Sequence, residues 1–246
     1  WSGLLSLPRE LRLQCLRHVT GAWTSDLHTI TSIELEPDDY GTATVRTLSS
    51  VPVPRVIEQL RQHPAVHVSR LPLTSLRRGI CHAQFPPQHA GSARWELDCS
   101  FAVARSCRGV GIRIGYSPDF GKAATLLWTP DIETFTVERP DFVYAGEGGE
   151  GGGGRVNSRA ERAPHTLFSS TDPVTGEART ETLSMRVWRD SSVLEVFVNE
   201  RTVVSTRIYA EDGRTFGIRF FADDGVSGGA VEDGDCTELL GATVWD

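Results

Sequence analysis

Glu195 sits in the alternating run Val193 to Val198, where a lone carboxylate could serve as a general acid. Arg186 and Arg207 lie on the flanking segments. The plainer reading is therefore a cross-strand ion pair, worth at most about 1 kcal/mol if exposed. Asp223-Asp224 and Glu232-Asp233-Gly234-Asp235 offer the oxygens that calcium prefers. They lack the D-x-D-x-D-G spacing of a calcium loop and read as solvated turn acids. His63, His67, His82 and His89 crowd one region without an H-x3-H pair on a helix or an H-E-x-x-H, so they read as surface or packing histidines. Trp23, Trp95, Trp128 and Trp188 could form a flat platform for the C–H faces of a sugar. Trp188 is the best placed, since alternation sets it opposite Leu183, Met185 and Val187; the alternative is that another part of the protein covers that outer face. The five cysteines, Cys15, Cys81, Cys99, Cys107 and Cys236, form no C-x-x-C and read as small buried hydrophobes. No catalytic, cofactor-binding or metal-binding residue is assigned on these grounds.

The elements that position these side chains read mostly as strands. Residues 1–48 alternate weakly. Pro54 opens one short helix whose stripe is Val53, Val56, Ile57 and Leu60, and Pro64 closes it. Period-two alternation then runs through Trp95–Val103, Val110–Tyr116 and Phe135–Arg139. Leu183–Asp190, Val193–Val198 and Thr202–Ile208 are joined by short turns and read as a three-stranded meander. Phe216–Phe221 and Ala242–Trp245 add two more strands. Residues 146–163, rich in Gly and Glu, have no apolar anchor before Val156 and read as a mobile loop. No Gly-Lys-Ser/Thr follows them, which argues against a phosphate cradle. About ten strands and no βα alternation predict an all-β, two-sheet antiparallel sandwich, with a closed barrel second.

Composition agrees with a folded chain: 246 residues, 39% hydrophobic and 23% charged. Its apolar runs fall far short of the roughly 20 residues of a membrane span. A net charge of −7 argues against nucleic acid as a partner. The chain opens on Trp1 rather than Met, which suggests a processed product, a cut fragment or an incomplete gene.

Three stretches together resemble the C-terminal part of glycoside hydrolase family 32, the invertases, inulinases and related fructosyltransferases. Trp1-Ser2-Gly3-Leu4-Leu5-Ser6-Leu7-Pro8-Arg9-Glu10-Leu11 is similar to that family's W-x-G-x-x-S-x-P-R-E-L. Ser192-Val193-Leu194-Glu195-Val196-Phe197-Val198-Asn199 and Thr206-Arg207-Ile208-Tyr209 resemble its S-x-x-E-V-F-x-N and S-R-I-Y strands. Val137-Glu138-Arg139 and the turn Tyr116-Ser117-Pro118-Asp119 stand where the family has V-D-R and a hairpin. The Gly-rich loop and residues 77–92 depart from the pattern.

The resemblance implies the last strand of a five-bladed catalytic propeller and a linker with a short helix, followed by a C-terminal β-sandwich. Expected bounds are 1–48 for the propeller end and linker strands, 49–65 for the linker with its helix, and 66–246 for the sandwich. The implied role is a non-catalytic module bracing the propeller of an enzyme that hydrolyses or transfers fructosyl units of sucrose or fructans. The alternatives are a stand-alone carbohydrate-binding module or one half of a two-chain fructosidase. The partners implied are the propeller, in the same or a separate chain, with a second copy and a carbohydrate as further candidates; secretion is suggested by the resemblance alone. Retaining glycosidases need two carboxyl groups roughly 5–5.5 Å apart. The family's W-M-N-D-P-N-G, R-D-P and E-C motifs, which supply its catalytic residues, are absent here. The only asparagines are Asn157 and Asn199, Asp172-Pro173 follows Thr171, and Cys99 and Cys236 each follow an aspartate. In this reading Leu4, Leu5, Leu7, Leu11 and Leu13 lack partner strands and promote self-association.

Overall fold

A computed structural model describes residues 4–38, 40–61, 66–73, 83–84, 93–117, 119–139, 143–144, 154–155, 158–209, 217–223 and 236–245. The first part of the chain forms β1 (Arg9–Ala22), β2 (Ile33–Pro37), β3 (Ala43–Pro52), the helix α1 (Pro54–Leu60), β4 (Val66–Val68), β5 (Leu71–Pro72) and β6 (Ala83–Gln84). The middle forms β7 (Arg94–Ala102), β8 (Gly109–Gly115), β9 (Ala123–Thr129), β10 (Thr134–Glu138), β11 (Val143–Tyr144) and β12 (Gly154–Arg155). The rest forms β13 (Glu161–Pro164), β14 (Phe168–Thr171), β15 (Ala178–Thr180), β16 (Leu183–Asp190), β17 (Val193–Val198), β18 (Thr202–Arg207), β19 (Gly217–Asp223) and β20 (Glu238–Trp245). Every pairing among these strands is antiparallel.

The chain is all-β with one short α-helix among the described residues, but it holds three sheets where two were expected. A seven-stranded sheet runs β18-β17-β16-β7-β20-β4, with β5 also on β20, and a six-stranded sheet runs β13-β10-β9-β8-β19-β6. The third has the order β15-β14-β1-β3-β2, and β11 and β12 form a separate ribbon. The third sheet arises because β1 is 14 residues long and its backbone groups need partners. β3 pairs with Arg9 to Val19, and β14 pairs with Val19 to Ala22. The expectation that Leu11 and Leu13 lie on an unpartnered strand is therefore corrected. This sheet also draws on both sides of the expected boundary at residue 66, since β14 and β15 come from residues 168–180.

Alternation builds the main core as predicted. Leu183, Met185 and Val187 of β16, Leu194, Val196 and Val198 of β17, and Trp95, Leu97, Cys99 and Phe101 of β7 point inward. They join Val110, Ile112 and Ile114 of β8 and Leu126 and Trp128 of β9 in one cluster. Each fully buried aliphatic side chain contributes roughly 1.5–3 kcal/mol. A bulge between Leu239 and Gly241 lets Leu239, Ala242 and Val244 share this face despite their uneven spacing. Gly111 sits where strands come closest: a Cβ there would lie 1.9 Å from the Leu126 carbonyl oxygen. Arg139, in the stretch resembling V-D-R, ties the two sheets by donating to Thr206 Oγ1 at 3.1 Å and the Arg207 carbonyl at 3.3 Å.

The helix begins at Pro54 as expected, but only Ile57 of its stripe is buried, and Leu60 is exposed. Of the loop expected over 146–163, Gly154–Arg155 forms the ribbon with β11 and Glu161 to Pro164 pairs with β10. Residues 146–153 and 156–157 of that expected loop lie outside the described residues, as do Trp1, His63, His82, His89, Cys81, Asp224, Glu232, Asp233 and Asp235. Cys99 and Cys107 are buried, whereas Cys15 is exposed. Burial pushes the Cys99 thiol well above its ordinary range.

His165 is enclosed beneath the turn that joins β17 to β18. Asn199 Oδ1 lies 3.2 Å from Nε2 and Thr202 Oγ1 lies 3.0 Å from Nδ1. Burial, with Arg201 nearby, lowers its pKa to about 3. The unfolded chain takes up a proton near pH 6.5 that the fold refuses. This contribution to stability is thus complete above that pH and is lost as pH falls toward about 3. Urea unfolding of His165→Gln should show a stability slope between pH 6 and 4 that is shallower than wild type by up to about 1.4 kcal/mol per pH unit. An unchanged slope would show that the ring is protonated in the fold.

Candidate functional site

The same alternation that fills the core sends a second set of side chains to the outer face of the seven-stranded sheet. Register aligns Trp245, Glu96, Trp188, Glu195 and Ser205 in one row across β20, β7, β16, β17 and β18. Such a face would ordinarily be wet, yet Glu96 is 5% exposed, Glu195 3% and Trp188 8%. The cover comes from the segment before β1 and from α1. Leu7 and Ile57 pack with Trp188, Phe197 and Val203 in a small second core. Trp188 and Phe197 meet edge to face with ring centroids 5.4 Å apart, within the roughly 4.5–7 Å usual for aromatic pairs.

Both buried carboxylates are held by arginines. Glu195 accepts from the Leu7 amide on Oε1 and from Arg9 Nη2 on Oε2, each at 2.7 Å. Ser205 reaches the same Oε2 at 3.4 Å. Glu96 takes both arms of Arg61, Nε at 2.9 Å and Nη2 at 2.6 Å. The bond to Glu96 raises the Arg61 pKa above the ordinary guanidinium value. The Arg61 guanidinium also lies 3.9 Å over the Trp245 ring.

A third carboxylate does similar work at the far end of β1. Glu133, held at φ 45° after a 3-10 turn, accepts from the amides of Thr24 at 3.1 Å and Ser25 at 3.0 Å. The hydroxyls of Ser25 and Thr166 bond to it as well. Burial alone would raise its pKa, but these hydrogen bonds outweigh that and hold it below the ordinary glutamate value. The long strand is thus pinned at its start by Glu195 and just past its end by Glu133.

The ion pair expected for Glu195 exists with a different partner. Arg186 bonds to Asp98 at 2.9 Å, and Arg207 bonds to the Ser192 hydroxyl at 2.9 Å. Glu195 is buried rather than exposed, and its partner Arg9 is 186 residues away. Of the four tryptophans weighed as a sugar platform, Trp23, Trp95 and Trp128 belong to the main core, and Trp188 lies on the outer face as alternation predicted. Glu96, Arg61 and Trp245 were not singled out. Alternation along Ala242–Trp245 does set Trp245 opposite the inward Val244, whereas no local pattern announces the Arg61–Glu96 contact. His67 Nδ1 lies 2.9 Å from Thr243 Oγ1. Among the described residues no three His, Cys, Asp or Glu side chains cluster as metal ligands would.

Between the segment Leu5–Pro8, the end of α1 and the sheet lies a cleft of about 870 Å³. Trp188, Trp245, Trp95, Glu96, Arg61 and Glu195 contribute to its walls, and Arg94 and Asp190 stand at its margin, 3.1 Å apart. Neither buried carboxylate is an unengaged acid, since both oxygens of each already accept hydrogen bonds. The arrangement fastens chain segments to the sheet and leaves an aromatic, hydrogen-bonding hollow beside them.

Residues 57–246 match the family model described as the C-terminal part of glycosyl hydrolases family 32. The chain belongs to that family. Among solved structures, this family 32 chain is similar to an Aspergillus kawachii β-fructofuranosidase complexed with glycerol, with TM-score 0.75 and 22% identity. That match covers 98% of this chain and 37% of the other. An A. japonicus fructosyltransferase matches with TM-score 0.72 and 19% identity, over 98% of this chain and 35% of that one. A Schwanniomyces occidentalis fructofuranosidase complexed with fructose matches with TM-score 0.51 and 13% identity, over 98% and 40%. At these identities the likeness is one of fold. The family 32 chain therefore spans a little over a third of the structures it resembles. No curated protein matches it.

In this family 32 chain Arg9 comes from the stretch resembling P-R-E-L and Glu195 from the stretch resembling S-x-x-E-V-F. The two most specific stretches of the sequence meet in one buried ion pair. Burial ranks the ion pairs of this face. Glu96→Gln should lower stability by about 2–4 kcal/mol, because it leaves a half-buried guanidinium without its counter-charge. Arg186→Ala, whose pair with Asp98 is over a third exposed on both sides, should cost under about 1 kcal/mol. Chemical denaturation of the two variants measures the order.

Proposed function

We propose that this chain is the non-catalytic C-terminal β-sandwich portion of a β-fructofuranosidase-type glycoside hydrolase, and that it braces a catalytic propeller. In this reading the six- and seven-stranded sheets form the sandwich within 66–246. Residues 49–65 are the linker, and 1–48 lead in from the propeller. The parent enzyme would hydrolyse or transfer fructosyl units of sucrose or fructans, with the propeller in the same chain or a separate one.

The observation that carries the reading is an apolar stripe on a strand that cannot move freely. Leu11 and Leu13 of β1 are 66% and 69% exposed, and Leu48, the register partner of Leu13, is 59% exposed. Leu5, just before β1, is 95% exposed. Along Arg9–Leu16 the edge of β1 away from β3 pairs with no other described strand. An exposed apolar patch beside an open strand edge is the signature of a surface built to be covered. Because β1 is pinned at both ends, whatever covers the patch is held at a fixed angle to the sandwich. The family membership and the fraction of its relatives' length that this chain spans support a propeller as the cover.

The test is a chimera of the A. kawachii β-fructofuranosidase in which this chain replaces the matching C-terminal part. The chimera should be soluble and cleave sucrose, while this chain alone should show no turnover on sucrose or inulin. Leu11→Ser/Leu13→Ser should shorten the thermal half-life of the chimera several-fold, and Ile132→Ser, equally exposed elsewhere, should not. A chimera no more soluble than the propeller alone, or one indifferent to the two leucines, would overturn the reading. Turnover by the isolated chain would overturn its non-catalytic part.

A further inference from the structure

Strand register sets the limits of the exposed face on the third sheet. Within β1, Leu11, Leu13 and Cys15 share one face by alternation, and β3 places Ser50, Leu48 and Arg46 opposite them in turn. β2 then places Glu34 opposite Arg46 and Glu36 opposite Thr44. Leu11, Leu13, Cys15, Leu48, Arg46, Glu34 and Glu36 are all exposed. The other face of the same three strands is closed: Leu16, Val45 and Leu35 lie in one row there and pack with Val19 and Phe168.

The chemistry of the open face divides along a line between Cys15 and Arg46. On one side Leu11, Leu13, Leu48 and Cys15 form an uncharged block, in which the exposed thiol counts as a small hydrophobe. On the other side stand Glu34, Glu36 and Arg46, with Arg46 Nη2 paired to Glu36 Oε2 at 2.5 Å and both side chains about half exposed. The cores of protein interfaces are depleted in charge, and their rims carry it. A partner seated over β2 would strip water from an ion pair and from Glu34, at a desolvation cost that the pairing need not repay. A partner seated over β1 and the adjoining part of β3 buries no charge.

We infer that the propeller seats on the β1–β3 pair alone, through an uncharged apolar surface centred on Leu13, with Cys15 inside the contact and β2 left outside as its wet rim. This rests on the docking reading and adds to it the extent and polarity of the contact. The Cys15 thiol is then accessible in the isolated chain and buried in the assembled enzyme, whereas position 34 stays accessible in both. A charged side chain at position 15 is carried into a dry contact on docking. The isolated chain tolerates it, because that side chain points to water there.

The experiment alkylates the full 246-residue chain and the A. kawachii chimera with iodoacetamide and locates the adducts by peptide mapping. Cys15 should react readily in the isolated chain and at least about tenfold more slowly in the chimera, because alkylation needs access to the thiolate. With Glu34→Cys, the new thiol should react at the same rate in both. Cys15→Lys should leave the urea midpoint of the isolated chain unchanged and shorten the thermal half-life of the chimera several-fold, and Glu34→Lys should change neither. The wild-type labelling requires no variant to fold. A soluble, active chimera in which Cys15 reacts as fast as in the isolated chain would overturn the inference and leave the docking reading standing. Protection at position 34 alongside Cys15 would overturn the limit at β2. A chimera indifferent to Leu11 and Leu13 removes the docking reading and this inference with it.

Discussion

Glu195 lies beneath the point where the N-terminal segment turns into the long strand β1, and the placement of the third sheet depends on how that carboxylate is satisfied. A buried carboxylate without partners costs several kcal/mol, so the fold must bring it donors. They come from the Leu7 amide and the Arg9 guanidinium, two residues apart on one extended segment. The requirement also sets register. A slip of one residue along β1 would turn Arg9 to the opposite face and leave the charge alone. The Pro8 carbonyl, next to these donors, accepts from the Val53 amide at 2.9 Å, which brings the start of α1 to the same place.

Glu133 and Glu96 extend the same principle. Glu133 fixes the chain just after β1, and Glu96 fixes the residue that ends α1. Three carboxylates carried on the two larger sheets therefore fasten three points of the N-terminal region, none of them through a surface ion pair of the weak kind. The hollow beside Trp188 follows from this arrangement. The segment Leu5–Pro8 and the end of α1 are each tied to the sheet, and the outer face between them stays partly uncovered. Its walls are rigid because the groups that form them are the same groups that hold the segments down. The exposed stripe of Leu11, Leu13 and Leu48 is rigid for the same reason.

Much of the main core was legible in the sequence. The meander from Leu183 to Arg207 alternates with period two, and its inward Leu183, Met185, Val187, Leu194, Val196, Val198 and Val204 are buried. The third sheet was not legible, because β14 is short, polar and close to 150 residues away from its partner β1, β15 joins only through β14, and nothing local in Phe168–Thr180 signals that pairing. The partner of Glu195 was misread for a geometric reason. Its direct row neighbours are Trp188 and Ser205, whereas Arg186 faces Phe197 and Arg207 faces Val193. Proximity in sequence pattern placed two arginines on the right strands, each two register rows away from the carboxylate. Trp188 was legible on the outer face because alternation alone decides it. Its neighbour Trp245 lies at the end of a strand whose bulge breaks the pattern upstream.

The central claim is that Arg9 and Glu195 act as one unit that holds β1 to the seven-stranded sheet. A double-mutant cycle of Arg9→Met and Glu195→Gln, read by urea unfolding at neutral pH, measures that directly. The account predicts that each single change lowers stability by about 3 kcal/mol and that the double change costs far less than their sum, with a coupling on the order of 2–3 kcal/mol. Strictly additive losses, with a coupling below about 0.5 kcal/mol, would show that the strand is held by something else.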